Sequence, residues 1–389
     1  MTPAGLAALD DDERVISETA AEFAAKRIAP HALDWDKTKH FPVDVLREAA
    51  ALGMAAIYCR EDVGGSGLRR LDAVRIFENL AAADPVIASF LSIHNMCAWM
   101  VDTYGTADQR ATWIPRLAEM DTIASYCLTE PGAGSDAAAL RTRAVREGEH
   151  YVLDGVKQFI SGAGVSDLYV VMARTGVDGP RGISAFLVEK GTPGLSFGVN
   201  EEKMGWNAQP TAQVILDGVR VPANALLGGT AGEGTGFSIA MNGLNGGRIN
   251  IAACSLGGGQ SAFERATRYV ADRQAFGGAL IDEPTVRFTL ADMATGLETS
   301  RLMLWRAASS LDNNEADKVE LCAMAKRYVT DTCFEVADKA LQLLGGYGYL
   351  REYGVEKIVR DLRVHRILEG TNEIMRVVIG RAAVSRMRS

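Results

Sequence analysis

The hydrophobic period along the chain changes twice. Between residues 10 and 120, apolar side chains recur at three-to-four spacing, as in Val15, Ile16, Ala20, Phe23 and Ile28, and again in Val45, Leu46, Ala49 and Leu52. That is the period of helices burying one face. Pro42 stands where a first helical turn tolerates it. Gly64-Gly65-Ser66-Gly67 interrupts the zone and reads as a loop; no P-loop Lys-Ser/Thr follows, which disfavours a phosphate cradle. Between residues 123 and 222 the pattern turns to that of strands. Tyr151-Val152-Leu153, then Asp154-Gly155, then Val156 reads as a hairpin, and Leu216-Asp217-Gly218-Val219 repeats the signal. Leu168-Tyr169-Val170-Val171-Met172 and Ile183-Ser184-Ala185-Phe186-Leu187-Val188 suit buried strands, with glycine-rich turns at 176–180 and 191–194. From residue 234 helical spacing returns in longer runs, predicted over 237–273, 285–311, 315–344 and 372–388. Such runs form bundles of long antiparallel helices and can be shared between subunits. The expected order is α at 1–122, β at 123–233 and α at 234–389.

A chain of 389 residues exceeds one ordinary core and should divide into two or three packed units. Its 48% hydrophobic and 23% charged content is that of a globular protein, and a net charge of −8 argues against nucleic acid or an anionic membrane as partner. No apolar run approaches the ~18 residues of a membrane span. The opening Met1-Thr2-Pro3, followed by Asp10-Asp11-Asp12-Glu13, resembles neither a signal nor a transit peptide. The expected location is the cytoplasm of a prokaryote, or the mitochondrial matrix if the sequence is a processed form. Six scattered cysteines form no C-x-x-C pair, and the five histidines show no metal-ligand spacing, so reduced thiols and no metal are expected.

Six segments carry candidate chemistry. Tyr126-Cys127-Leu128-Thr129-Glu130-Pro131-Gly132-Ala133-Gly134-Ser135-Asp136 leaves the first strand with hydroxyls and bare backbone, fit to hold a phosphate or a flat heterocycle; an elaborate turn explains the shape equally well. Phe159-Ile160-Ser161-Gly162-Ala163-Gly164 sets an aromatic ring beside a hydroxyl, the combination that covers a ring face and bonds its edge. Asn245-Gly246-Gly247-Arg248 puts two glycines inside a helix, each costing about 1 kcal/mol against alanine unless close approach requires them. Arg273-Gln274-Ala275-Phe276-Gly277 and Gln342-Leu343-Leu344-Gly345-Gly346 end two helices, the first with a cation suited to phosphate. Near the C-terminus Glu369 interrupts an apolar and basic run. Wedged between Leu368 and Gly370 it can be desolvated into a working base, although the segment alone reads more plainly as a surface carboxylate before a helix capped by Thr371 or Asn372.

Together these segments resemble the acyl-CoA dehydrogenase family over essentially the whole chain. The resemblance is carried by the Thr-Glu-Pro-Gly-x-Gly-Ser-Asp run at 129–136, the Arg-x-x-Phe-Gly run at 273–277 and Ile367-Leu368-Glu369-Gly370. Ser92-Ile93-His94-Asn95-Met96 and Asn245-Gly246-Gly247-Arg248 favour a member acting on isobutyryl-CoA, with 2-methylbutyryl-CoA and butyryl-CoA as alternatives. The resemblance implies a helical domain, a central β-barrel-like domain and a C-terminal four-helix bundle. It also implies one FAD per subunit, a homotetramer built as a dimer of dimers, and electrons passed to an electron-transfer flavoprotein. Glu369 is then the base that removes the α-proton, with its backbone N–H and a flavin ribityl hydroxyl polarising the thioester carbonyl. The implied flavin contacts are Tyr126, Cys127, Leu128, Thr129, Gly134, Ser135, Phe159, Ile160 and Ser161. Arg273, Phe276, Gln342, Leu343, Gly345 and Gly346 would reach the FAD of a neighbouring subunit, and Thr371, Asn372 and Glu373 its adenosine diphosphate side. Ser135, Asn245, Gly246, Gly247, Arg248, Glu369, Gly370 and Arg381 are the implied acyl-CoA contacts.

Four positions depart from the family pattern. Phe159 stands where many members have Trp, and Pro284 where Gln usually faces the FAD. Gly247 occupies the alternative base position of isovaleryl- and long-chain-type members, which leaves Glu369. Leu368 replaces the Tyr of straight-chain members and implies a differently shaped acyl pocket.

Overall fold

A computed structural model describes residues 10–388; the opening Met1-Thr2-Pro3 lies outside the described residues. The first zone folds as six helices: α1 (Asp11–Phe23), α2 (Ala32–Thr38), α3 (Val43–Ala51), α4 (Arg70–Ala83), α5 (Pro85–Tyr104) and α6 (Ala107–Ala118). Local chemistry sets their starts. Asp10 caps α1 in a reciprocal box with Glu13, and Asp84 accepts from the Val86 N–H ahead of α5, whose first residue is Pro85.

Seven strands follow: β1 (Ala124–Cys127), β2 (Arg143–Glu147), β3 (His150–Ser161), β4 (Leu168–Arg174), β5 (Ile183–Glu189), β6 (Leu195–Phe197) and β7 (Thr211–Pro222). They form one sheet in the order β1-β4-β2-β3-β7-β6, with β5 paired to β4. Strands β4 and β5 pair antiparallel, Val170 opposite Leu187, and are buried on both faces, the burial that their unbroken apolar runs predict. The two Asp-Gly signals do not make hairpins. Asp154-Gly155 lies within β3 and Asp217-Gly218 within β7, and the two face each other where the β3–β7 register slips. The Gly218 N–H donates to Asp154 Oδ1 at 2.7 Å, so each pair serves as half of a bulge rather than a turn. The turn of the β2–β3 hairpin falls at Gly148-Glu149 instead.

The C-terminal zone contains α7 (Gly236–Asp272), a short β8–β9 hairpin (Gln274–Ala275 and Gly278–Ala279), α8 (Pro284–Asp312), α9 (Lys318–Leu344), α10 (Val355–His365) and α11 (Asn372–Arg388). The four predicted long helices are all present; α10 was not anticipated. Burial explains the glycines of α7. A Cβ at Gly257 would lie 2.1 Å from the Glu78 carbonyl of α4, so bare backbone lets α7 and α4 touch. One core accordingly runs from α1–α5 into α7–α10, while a second joins α5 and α6 to β4, β5 and the start of α7. Among the described residues, the cysteines are free and buried, no helix is long and apolar enough to cross a membrane, and no metal-ligand cluster occurs.

A buried ion cluster ties the three zones together. Lys357 of α10 donates to Asp84 at 3.0 Å and to Asp361 at 2.8 Å, and Asp361 in turn accepts the Trp206 N–H at 2.7 Å. All three side chains are essentially excluded from solvent. Replacing Lys357 by Met would leave two enclosed carboxylates without a counter-ion, a loss of about 3–5 kcal/mol. The denaturant midpoint followed by circular dichroism should fall accordingly; an unchanged midpoint would refute the cluster's role.

Candidate active site

Beyond β1, an acidic residue organises the loop that the sequence singled out. Glu130 accepts the backbone N–H groups of Arg141 and Thr142 at 2.6 and 2.9 Å and pairs at 2.8 Å with Lys157, a wholly buried residue of β3. Lys157 also donates to the Leu128 carbonyl at 3.2 Å. With its acidic member turned inward, the loop presents Leu128, Thr129, Gly134 and Ser135 to a cavity of about 820 Å³. Tyr126 lines the same cavity and its buried Oη has no partner. At the far end of β3 the register breaks between Lys157 and Ile160, and Phe159 is thrown outward with φ +60° and 63% exposure. Phe159, Ile160 and Ser161 form the adjoining wall.

The opposite wall comes from α5, α7 and the turn after α10. The N–H groups of Ile367 and Leu368 both return to the Val364 carbonyl, at 2.8 and 3.1 Å, ending α10. Glu369 and Gly370 then take left-handed conformations, φ +58° and +85°. For Glu369 that conformation costs roughly 1–2 kcal/mol and points its side chain into the cavity. Of seven non-glycine residues with positive φ among those described, Phe159, Trp206 and Glu369 line this cavity and Phe276 a second one, so backbone strain concentrates at the two clefts.

Glu369 keeps part of its surface toward the cavity, while Oε2 is enclosed and accepts no hydrogen bond. Burial pushes its pKa up to about 7, against the opposing pull of the Arg248 and Lys326 cations. Its backbone N–H likewise meets no acceptor among the described residues. Facing it is Gly247 on α7, where a Cβ would fall 2.3 Å from Glu369 Oε2. The two positions thus address one point in space, and only one of them can carry a side chain. Arg248 beside it is buried; its Nε donates to the Glu369 carbonyl at 3.3 Å and its Nη1 to Asn245 at 2.8 Å.

The remaining predicted residues fall into three groups. Gly370 and Thr371 line the main cavity. Arg273, Phe276, Gln342, Leu343, Gly345 and Gly346 gather in a separate cleft of about 440 Å³, with Arg273 over the Tyr347 ring. Several residues reach neither place. Cys127 is buried in the sheet core, Gly246 packs under the Arg70 guanidinium, and Asn245 serves Arg248. The Asn372 side chain is held inside by Lys326, Thr330 and Asp331, and Glu373 and Arg381 are exposed on α11. Sequence reasoning missed Trp206, which enters the wall on a left-handed turn, its indole donating to His365 at 3.2 Å. It also missed Lys326, a buried cation beneath the turn. The Gly205-Trp206 pair signals the first; nothing local signals the second, an ordinary lysine in a helical run.

Residues 10–121, 125–219 and 234–384 match the N-terminal, middle and C-terminal domains of acyl-CoA dehydrogenase. The chain belongs to the acyl-CoA dehydrogenase family. It is 55% identical over 374 residues, 96% of its own length and 89% of the relative's, to the mitochondrial isobutyryl-CoA dehydrogenase of Dictyostelium discoideum. Its fold superposes on butyryl-CoA dehydrogenase of Megasphaera elsdenii with a TM-score of 0.94 at 35% identity, covering 98% of this chain and all 100% of that one. It also superposes on a glutaryl-CoA dehydrogenase of Mycobacterium smegmatis in complex with FADH2, at TM-score 0.91 and 29% identity, covering 97% and 95%.

The family's FAD fits the main cavity. An unpartnered Tyr126 hydroxyl, the open Thr129–Ser135 loop and an exposed aromatic ring at Phe159 offer what a flat, hydrogen-bonding heterocycle requires. Gly247→Ala tests the steric pairing across this acyl-CoA dehydrogenase site. Alanine should suit the helix but evict the Glu369 carboxylate, visible in a crystal structure as a changed rotamer and in solution as at least tenfold slower flavin bleaching by acyl-CoA. An unmoved carboxylate would contradict the geometry.

Proposed function

We propose that the protein oxidises a short branched-chain acyl-CoA, isobutyryl-CoA first among them, to its α,β-unsaturated thioester, with Glu369 as the base. One observation carries this reading: an enclosed, unpartnered carboxylate of raised pKa, aimed into a cavity where Gly247 makes room for it. A thioester α-hydrogen is weakly acidic, so the base must be desolvated and the carbonyl polarised where charge develops. The free N–H of Glu369 is the chain's own donor for that carbonyl oxygen, and the adjacent carboxylate takes the α-proton. FAD, when bound, supplies the acceptor for the β-hydrogen and its electron pair. Tyr126, Thr129, Ser135, Phe159 and Ser161 would hold the flavin against the β-sheet wall. Ile93, Met96, Leu244 and Leu368 give the cavity an apolar lining suited to a short acyl chain. The strong identity to a relative named for isobutyryl-CoA favours that substrate over straight-chain ones.

We further propose that electrons leave to an electron-transfer flavoprotein and that the chain works as a homotetramer. The second cleft supports the latter. Its Phe276 sits on a strained hairpin tip with 90% of its surface exposed, next to Arg273 and the glycines at 345 and 346, as a surface that a neighbouring subunit and its cofactor would cover.

Glu369→Gln should keep FAD and bind acyl-CoA, yet slow anaerobic flavin reduction at least a hundredfold. Near-normal reduction would refute the base. Because the unprotonated form is the active one and its pKa is raised to about 7, the wild-type reduction rate should climb with pH through about 7 and level off above it. That limb should be absent from the residual rate of Glu369→Gln. Arg273→Ala should lose FAD on gel filtration while acyl-CoA affinity of the reconstituted protein changes little; unchanged flavin content would exclude a phosphate contact.

A further inference from the structure

No step so far uses Lys326, although it is a wholly buried cation on α9 directly behind the turn that carries Glu369. Its Nζ donates to the Gly370 carbonyl and to Asn372 Oδ1, both at 2.8 Å. From α7, Arg248 donates to the preceding carbonyl, that of Glu369, at 3.3 Å. Cations from two separate helices therefore grip consecutive carbonyls of a left-handed turn that a glutamate does not adopt willingly. Among the described residues Lys326 has no carboxylate within ion-pair distance, so its charge is answered by neutral oxygens and projects into the surroundings.

We propose that Lys326 is a positioning residue for this reaction: it locks the Glu369–Gly370 turn and, through its ammonium charge, favours the ionised form of the Glu369 carboxylate. The proposal rests on Glu369 being the base. Charged groups around Lys326 come from every neighbouring element: Glu369 from the turn, Arg248 from α7, Asp331 from α9 and Glu373 from α11, with His365 of α10 buried and uncharged. Burial pushes Lys326 down to about 7, with Glu369 the largest influence opposing that fall. A positive Lys326 lowers the proton affinity of Glu369, so removing that charge must raise it.

The test is an infrared titration of the Glu369 carboxyl in the FAD-loaded enzyme, isolated by subtracting the Glu369→Gln spectrum. In Lys326→Met the midpoint should move up by about one pH unit or more, a tenfold change in ionisation. Lys326→Gln, which restores hydrogen bonding without charge, should show a similar move. Asn372→Ala removes a neighbouring strut but leaves the ammonium, and should leave the midpoint within about 0.3 units. Flavin reduction in Lys326→Met should fall about fivefold or more at pH 7 and recover as pH rises. An unmoved midpoint in both lysine variants, or an equal shift in Asn372→Ala, overturns the proposal. The midpoint is read whether or not Glu369 is the base. A shifted midpoint together with an active Glu369→Gln enzyme would reject the base assignment, whereas an unshifted one with inactive Glu369→Gln would reject Lys326 alone.

Discussion

An enclosed carboxylate oxygen without a hydrogen-bond partner is expensive, by about 1–3 kcal/mol for a neutral group and more for a charged one. Around Glu369 the fold bears that cost instead of relieving it. Gly247 withholds a side chain that would fill the space, Arg248 spends its hydrogen bonds on the Glu369 carbonyl and on Asn245, and Lys326 is turned to the next carbonyl. Two cations stand close enough to matter electrostatically, and neither is spent on neutralising the carboxylate by a direct ion pair. The result is a base whose proton affinity is balanced near neutrality by opposing effects, burial upward and cationic field downward.

Such a balance requires rigid walls, and the walls come from all three zones of the chain. The first and last helical zones share a core through α4, α5 and α7, so the cavity's α5 and α7 faces move as one. The Asp84–Lys357–Asp361 cluster carries that rigidity to the loop bearing Trp206, and Glu130–Lys157 does the same for the loop bearing Thr129 and Ser135. In each case a buried charged cluster fixes a loop that forms part of the cavity wall.

Periodicity revealed the long helices almost residue by residue, because α7, α8 and α9 bury broad faces over many turns. Although α10 has a strong apolar stripe of Val355, Ile358 and Leu362, it is short and follows a glycine- and tyrosine-rich stretch that masks its start. Local turn chemistry misled at Asp154-Gly155 and Asp217-Gly218, because the pairing of the two signals with each other depends on a contact 64 residues apart. The site divided along the same line. Tyr126 to Ser135 and Phe159 to Ser161 are continuous segments whose composition announces them, and both line the cavity. Asn372 and Lys326 exchange roles relative to expectation: the asparagine lies in the recognisable motif but faces inward, and the lysine lies in an ordinary helix but reaches the turn.

The second cleft raises a different constraint. Arg273 and its neighbours form a second opening that shares no lining residue with the cavity that holds Glu369, and the hairpin that presents them is strained. Left-handed φ at Phe276 costs backbone energy to expose an aromatic ring, which a monomer in water gains nothing by doing. That expense is rational only if the ring is buried by something else. In the proposed tetramer one subunit supplies the catalytic wall and another the Arg273 cleft. Cofactor retention would then depend on assembly, whereas the chemistry at Glu369 depends on one chain alone.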